Sequence, residues 1–119
     1  MVKESSCIVV GSPTYYADVS ASMKGFLETL GRYEVAGKLG GAFATADYPY
    51  GGGDLALQTI LTHLMFFGML TYSGGASQGR PPIHLGPVGI QGLPGQAELG
   101  FLYGQRMAKK AKEVFSDRS

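Results

Sequence analysis

Hydrophobic positions along this chain recur with two periods. The apolar run Ile8-Val9-Val10 empties into Gly11-Ser12-Pro13-Thr14-Tyr15-Tyr16, and Met23, Phe26, Leu27 and Leu30 then fall at i, i+3, i+4 and i+7. The run predicts a strand and the recurrence a helix over about residues 20 to 30, with Ser20 as N-cap and Gly31 as its stop. Small residues between Gly37 and Thr45 predict a second buried strand held tightly under helices. Leu57, Ile60, Leu61 and Leu64 repeat the helical stripe after Asp54, the expected N-cap. Met69-Leu70-Thr71-Tyr72 and Pro87-Val88-Gly89-Ile90-Gln91 are both extended in character. They are predicted to be two halves of one strand, interrupted by the Gly-, Ser- and Pro-rich insertion from Gly74 to Pro82. A last helix over about residues 96 to 115 carries Leu99, Leu102, Tyr103, Met107, Ala111, Val114 and Phe115 on one side. Arg106, Lys109, Lys110 and Lys112 fall largely elsewhere, and the three lysines form an expected solvated face. Strand, helix, strand, helix, split strand, helix predicts an α/β fold with right-handed crossovers and a parallel sheet.

In such sheets ligands bind beyond the carboxyl ends of the strands. The loop Gly11-Ser12-Pro13-Thr14-Tyr15-Tyr16 offers backbone N–H groups, a hydroxyl and two flat rings to a planar heterocycle. Thr45-Ala46-Asp47-Tyr48-Pro49-Tyr50-Gly51-Gly52-Gly53 follows the second strand in the same way.

Composition narrows the classes. With 119 residues, 45% of them hydrophobic and 16% charged, the chain fits one domain over 1–119. A net charge of +1, with no basic stripe interleaved with aromatics, excludes nucleic acid as the expected partner. Cys7 is the single cysteine, so no internal disulfide or cysteine metal cluster is expected, and a reducing cytoplasm suits it. The apolar stretch from Leu64 to Leu70 is far shorter than the roughly 20 residues of a membrane helix, and no signal peptide precedes Ser5. His63 and His84 lack second ligands at metal spacing. No Ser-His-Asp order or carboxylate pair stands out, so no metal is expected and the catalytic residues are unknown.

Five ordered signatures carry a resemblance: Gly11-Ser12-Pro13-Thr14-Tyr15-Tyr16, Ser20-Ala21-Ser22-Met23-Lys24-Gly25-Phe26-Leu27, Gly37-Lys38, Gly51-Gly52-Gly53 and Gly68-Met69. In this order they resemble the flavodoxin-like fold, specifically the WrbA-type NAD(P)H:quinone reductases and NADPH-dependent FMN reductase-like proteins. The resemblance implies noncovalent FMN and electron transfer from NAD(P)H to a quinone or similar acceptor. It places Ser12, Pro13, Thr14, Tyr15 and Tyr16 on one flavin loop and Thr45, Ala46, Tyr50, Gly51 and Gly52 on the other. Tyr50 stands where the quinone reductases often carry histidine, a phenol that stacks or donates a hydrogen bond.

The resemblance is taken to cover only the family's C-terminal part, with the first strand, phosphate loop and second strand missing. The expected fold is then a truncated three-layer sandwich on a short parallel sheet of family strands 3-4-5, with a start upstream of Met1 as one explanation. Ser73, Gly74, Gly75, Ser77 and Arg80 are the candidate replacement for the phosphate loop. The edge of residues 6–11 would stand open, so a homo-oligomer or a complementary N-terminal half is expected to pair with it. The competing expectation is a non-catalytic remnant or interaction module that binds no flavin.

Overall fold

A computed structural model describes residues 5–30 and 32–115. Its elements are β1 (Cys7–Pro13), α1 (Ala21–Thr29), α2 (Arg32–Val35), β2 (Leu39–Ala46), α3 (Gly53–Phe66), β3 (Leu70–Thr71), β4 (Val88–Ile90) and α4 (Gln96–Phe115). β2 is central. On one edge it pairs with β1 in parallel from Cys7↔Leu39 to Pro13↔Thr45. On the other, Leu39 and Gly40 meet β3 while Ala44, Thr45 and Ala46 meet β4, again in parallel. β3 and β4 thus occupy the two ends of a single strand position.

The period of two along β2 sorts its residues between faces. Ala42 and Ala44 join Val10, Leu27, Leu57, Ile60 and Leu64 in a core under α1 and α3. Leu39 joins Tyr103, Met107 and Ile83 in a second core under α4. Fully burying one of these leucines is worth about 2 kcal/mol, so each helix layer is held by its own apolar stripe.

The expected truncated sandwich of three family strands is therefore corrected. Four strands, β1–β4, run through nearly the whole chain, and helices cover the sheet on both sides. The physical reason lies in β2: both of its edges are used and both of its faces bury a core, which makes it the interior strand of a three-layer sandwich.

Between β3 and β4 the ladder on β2 is interrupted at Ala42. The Ala42 N–H donates instead to the Tyr103 hydroxyl oxygen at 2.9 Å. Tyr103 reaches it across Gly41, where an added Cβ would stand 2.0 Å from the hydroxyl. Gly41 is glycine because a phenol replaces a strand. Burial pushes the Tyr103 phenol up to about 12, with the Ala42 N–H opposing the shift.

Local signals account for the helix starts. The Ser20 hydroxyl accepts from Met23 N at 3.1 Å and caps α1. The predicted stop at Gly31 lies outside the described residues; α1 is followed by Leu30 in extended backbone. α3 differs from expectation: its N-cap is Gly52, at φ 90° and ψ 14°, and Asp54 sits inside the first turn. There the carboxylate faces the positive end of the helix dipole without capping it. Among the described residues no helix is long and apolar enough to cross a membrane.

Candidate functional site

The carboxyl ends of β1, β2 and β4 open into a cleft of about 440 Å³, lined by Pro13, Thr14, Tyr15, Thr45, Ala46, Asp47, Gly89, Ile90, Gln91 and Gln96. That volume lies in the range of small-molecule sites. Its walls are tied together through the backbone. Thr14 N donates to Thr45 O at 2.8 Å, and Gln91 N donates to Ala46 O at 3.1 Å. Gln96, at the start of α4, accepts from Ile90 N at 2.8 Å and donates to Pro94 O at 3.2 Å, fixing the turn after β4.

One buried polar atom on this wall has no partner. The Thr14 hydroxyl is buried and has no hydrogen-bond partner. A buried hydroxyl left unpaired costs about 1–3 kcal/mol, so its place on the cleft wall suits a ligand that supplies the missing bond.

The loop after β1 folds back as a tight turn. Tyr15 N donates to Asp18 O at 2.8 Å and Asp18 N to Tyr15 O at 3.1 Å, with Tyr16 at φ 53° and Ala17 at φ 62° between them. Two consecutive left-handed residues that are not glycine are strained by about 1 kcal/mol or more each. The turn is clamped in place. Asp18 accepts from Val19 N and from the Thr59 hydroxyl, both at 2.7 Å. Those bonds, the Thr59 hydroxyl first, hold its carboxyl below the ordinary range. Ala17 lies against Gly52, where a Cβ would come within 2.5 Å of Ala17 Cα. The two predicted loops therefore touch at a position that only glycine fits.

The structure brings Pro13, Thr14, Tyr15, Thr45 and Ala46 together at the cleft. Ser12 sits beneath it, 4% exposed, accepting from Ser20 N at 3.0 Å and donating to Pro13 O at 2.8 Å. It links the loop to α1. Gly51 and Gly52 shape the second loop without lining the cleft. Tyr16 and Tyr50 project into solvent at 105% and 99% exposure, so they belong to the rim.

Gly89, Ile90, Gln91 and Gln96 were not singled out from the sequence. Applying the carboxyl-end rule to the second half of the split strand would have found Gln91. Gln96 carries no such signal, because its place depends on the turn before α4. The proposed phosphate replacement does not reach the cleft. Ser73 spends its hydroxyl on the His84 carbonyl at 2.7 Å and accepts from Gly75 N at 3.0 Å, and Arg80 is exposed away from the cleft lining. Cys7 opens β1 at the far end from the cleft, and burial pushes its thiol up.

A parallel sheet with a three-sided cleft at its carboxyl ends defines a flavodoxin-like α/β protein. The family of NADPH-dependent FMN reductases matches residues 1–79, and this chain belongs to that family, one of FMN-linked oxidoreductases. The match takes in β1 and the loop that follows it. The expectation that the chain carries only the family's C-terminal part, with first strand and loop missing, is corrected accordingly. A protein named flavodoxin from Clostridium saccharobutylicum is 45% identical over 115 residues, which are 96% of this chain and 72% of that one. An NAD(P)H dehydrogenase (quinone) from Paraburkholderia phymatum is 33% identical over 103 residues, 83% of this chain and 49% of its own length. This chain thus spans about half the length of that quinone dehydrogenase. Among solved structures, a flavodoxin, WrbA-like protein from Agrobacterium tumefaciens shares the fold at a TM-score of 0.80 and 23% identity. It is matched over 94% of this chain and 69% of its own.

Proposed function

We propose that the chain binds FMN noncovalently in the cleft at the carboxyl ends of β1, β2 and β4 and passes electrons from NAD(P)H to a quinone or similar acceptor, in the cytoplasm. The observation that carries this reading is the buried, unpartnered Thr14 hydroxyl on the wall of a cleft of ligand size. Bound flavin supplies the hydride chemistry; the protein supplies position and electrostatics. Pro13, Thr14 and Tyr15 form one wall, Thr45 and Ala46 the floor, and Gln91 and Gln96 the far side. Asp47 places a carboxylate on the same lining, which favours the uncharged ring there over a phosphate. Tyr16 and Tyr50 stand ready at the rim to cover an exposed ring face.

The test is visible absorption of the purified chain before and after FMN addition and removal of free flavin. The reading requires retained flavin and NAD(P)H oxidation when a quinone is added. A colourless, unresponsive chain leaves the non-catalytic module as its description. Thr14→Val, which keeps shape and removes the hydroxyl, is expected to weaken FMN binding about tenfold while leaving the unliganded fold as stable or slightly more so. Thr14→Ser restores binding. Equal FMN affinity in wild type and Thr14→Val sinks the role given to the hydroxyl.

Assembly is part of the same proposal. β1 ends the hydrogen-bonded order of the sheet, and its sequence from Cys7 to Pro13 contains no charged residue to block an added strand. Val9 and the neighbouring Phe43 are 40% and 43% exposed beside it. A second copy presents the same edge and closes a two-fold pair. Light scattering is expected to give twice the 12.6 kDa mass of the chain, and Val9→Lys to return it to the monomer. A wild-type monomer at high concentration overturns the pairing.

A further inference from the structure

Among the described residues, Arg106 is a buried charge that the fold leaves partly unsatisfied. Its place in α4 is on the helix that covers the second core, yet its side chain is only 8% exposed. Nη2 donates to the Pro81 carbonyl at 3.1 Å, while Nε and Nη1 are buried without any acceptor. A buried cation with unpaired donors is strongly disfavoured unless something negative reaches it.

The guanidinium is closely wrapped by a loop, and a small cavity adjoins it. The loop from Gly74 to Pro81 wraps the guanidinium and is glycine where it must be. At Gly74, φ 89°, an added Cβ would lie 3.0 Å from Arg106 Cδ; at Gly79, φ 110°, it would lie 3.5 Å from Nη2. Beside it is a cavity of about 70 Å³ lined by Tyr72, Gln78, Arg106, Lys109, Lys110 and Glu113. A water needs about 10–15 Å³ of such space, so the cavity has room for a few waters or one small oxyanion. Glu113 does not neutralise the arginine, because it pairs with Lys110 at 3.0 Å. Three cations against one carboxylate leave two positive charges around the cavity. Lys110 also lies 5.2 Å from the Tyr72 ring centroid, which keeps that wall in place.

We propose that Arg106, with Lys109 and Lys110, binds a phosphate-type dianion in this cavity, separate from the cleft at the ends of β1, β2 and β4. Ten residues of α4 separate Gln96 in that cleft from Arg106, about 15 Å along the helix axis. The guanidinium supplies the dry, directional contact, and Lys109 and Gln78 close the mouth. The phosphate is either free or the terminal group of a nucleotide; the contacts are the same.

The experiment measures thermal unfolding and the Arg106 Nε–H resonance in inorganic phosphate against chloride at matched ionic strength, with AMP as a second probe. At ten times its dissociation constant, phosphate is expected to raise the melting temperature by about 5 °C over chloride and to move the Nε–H resonance. In Arg106→Met the thermal response to phosphate vanishes. In Lys109→Gln, which keeps the core untouched, phosphate affinity falls several-fold. AMP binding no tighter than phosphate assigns the site to the free ion; AMP binding at least tenfold tighter assigns it to a nucleotide. A wild-type protein that melts at the same temperature in both salts, or a response retained in Arg106→Met, overturns the proposal. If Arg106→Met does not fold, the wild-type comparison and Lys109→Gln decide it alone.

Discussion

Gly52→Ala lowers FMN affinity at least tenfold and destabilises the fold by about 2–4 kcal/mol. Two effects add at this position. Gly52 has φ 90°, where alanine is strained by about 1–2 kcal/mol. Its new methyl would also stand 2.5 Å from Ala17 Cα and 2.6 Å from Ala17 Cβ, far inside contact distance. Ala17 has little freedom to retreat, because it and Tyr16 are already held left-handed in a turn closed by Tyr15 and Asp18. The clash therefore separates the two loops, moving Tyr15 out of the cleft wall and Gly52 away from the start of α3. Flavin affinity by fluorescence titration and stability by urea unfolding measure the two losses. Gly75→Ala is the control: φ is 54° there but nothing lies near the added Cβ, and the residue is outside the cleft lining. It carries strain without a clash and is expected to bind FMN as wild type does. If Gly52→Ala also binds like wild type, the contact between the loops has no part in holding the flavin.

Much of the architecture was legible because its signals are local. Of the predicted stripe, Met23, Leu27 and Leu30 pack on the core under α1 while Phe26 stays 45% exposed, and Ser20 caps that helix from one residue before it. The two extended halves on either side of the glycine-rich insertion are β3 and β4, at opposite ends of the β2 edge. The cleft was legible in its β1 and β2 walls, because each strand there runs straight into its loop. What stayed hidden depends on partners distant in the chain. Gly52 and not Asp54 caps α3, and that position must be glycine because Ala17, far back in sequence, crowds it. Arg106 reads as a helix-surface cation until the loop around Gly74 folds over it. The expectation of a truncated three-strand sheet failed for a related reason: counting strands by family position overlooked that β2 is served on both edges by this chain's own segments.

The largest effect expected away from the cleft is at the interruption of the sheet. Tyr103→Phe removes the acceptor for the Ala42 N–H, a bond of 2.9 Å in a fully buried place. A buried donor left unpaired costs about 1–3 kcal/mol, and that loss is expected in urea unfolding near neutral pH. Alkaline pH gives the same residue a second signature. Its phenol ionises at about 12 in the folded chain, above the ordinary 10.0, because burial disfavours the anion. The folded state therefore holds this proton where the unfolded state has released it. Stability from this group is intact below pH 10 and is lost as pH rises from 10 toward 12, by up to about 2–3 kcal/mol. Phenylalanine cannot ionise, so the difference between wild type and Tyr103→Phe shrinks across that window. Gly41→Ala links the two positions. Its methyl would occupy the hydroxyl's place and drive Tyr103 off Ala42, with a loss of about 2–4 kcal/mol in the wild-type background. In the Tyr103→Phe background the bond is already gone, and a smaller loss is expected, a coupling of at least ~1 kcal/mol in the double-mutant cycle. Strict additivity of the two changes would mean that Gly41 is small for some reason other than the passage of the phenol to the gap between β3 and β4.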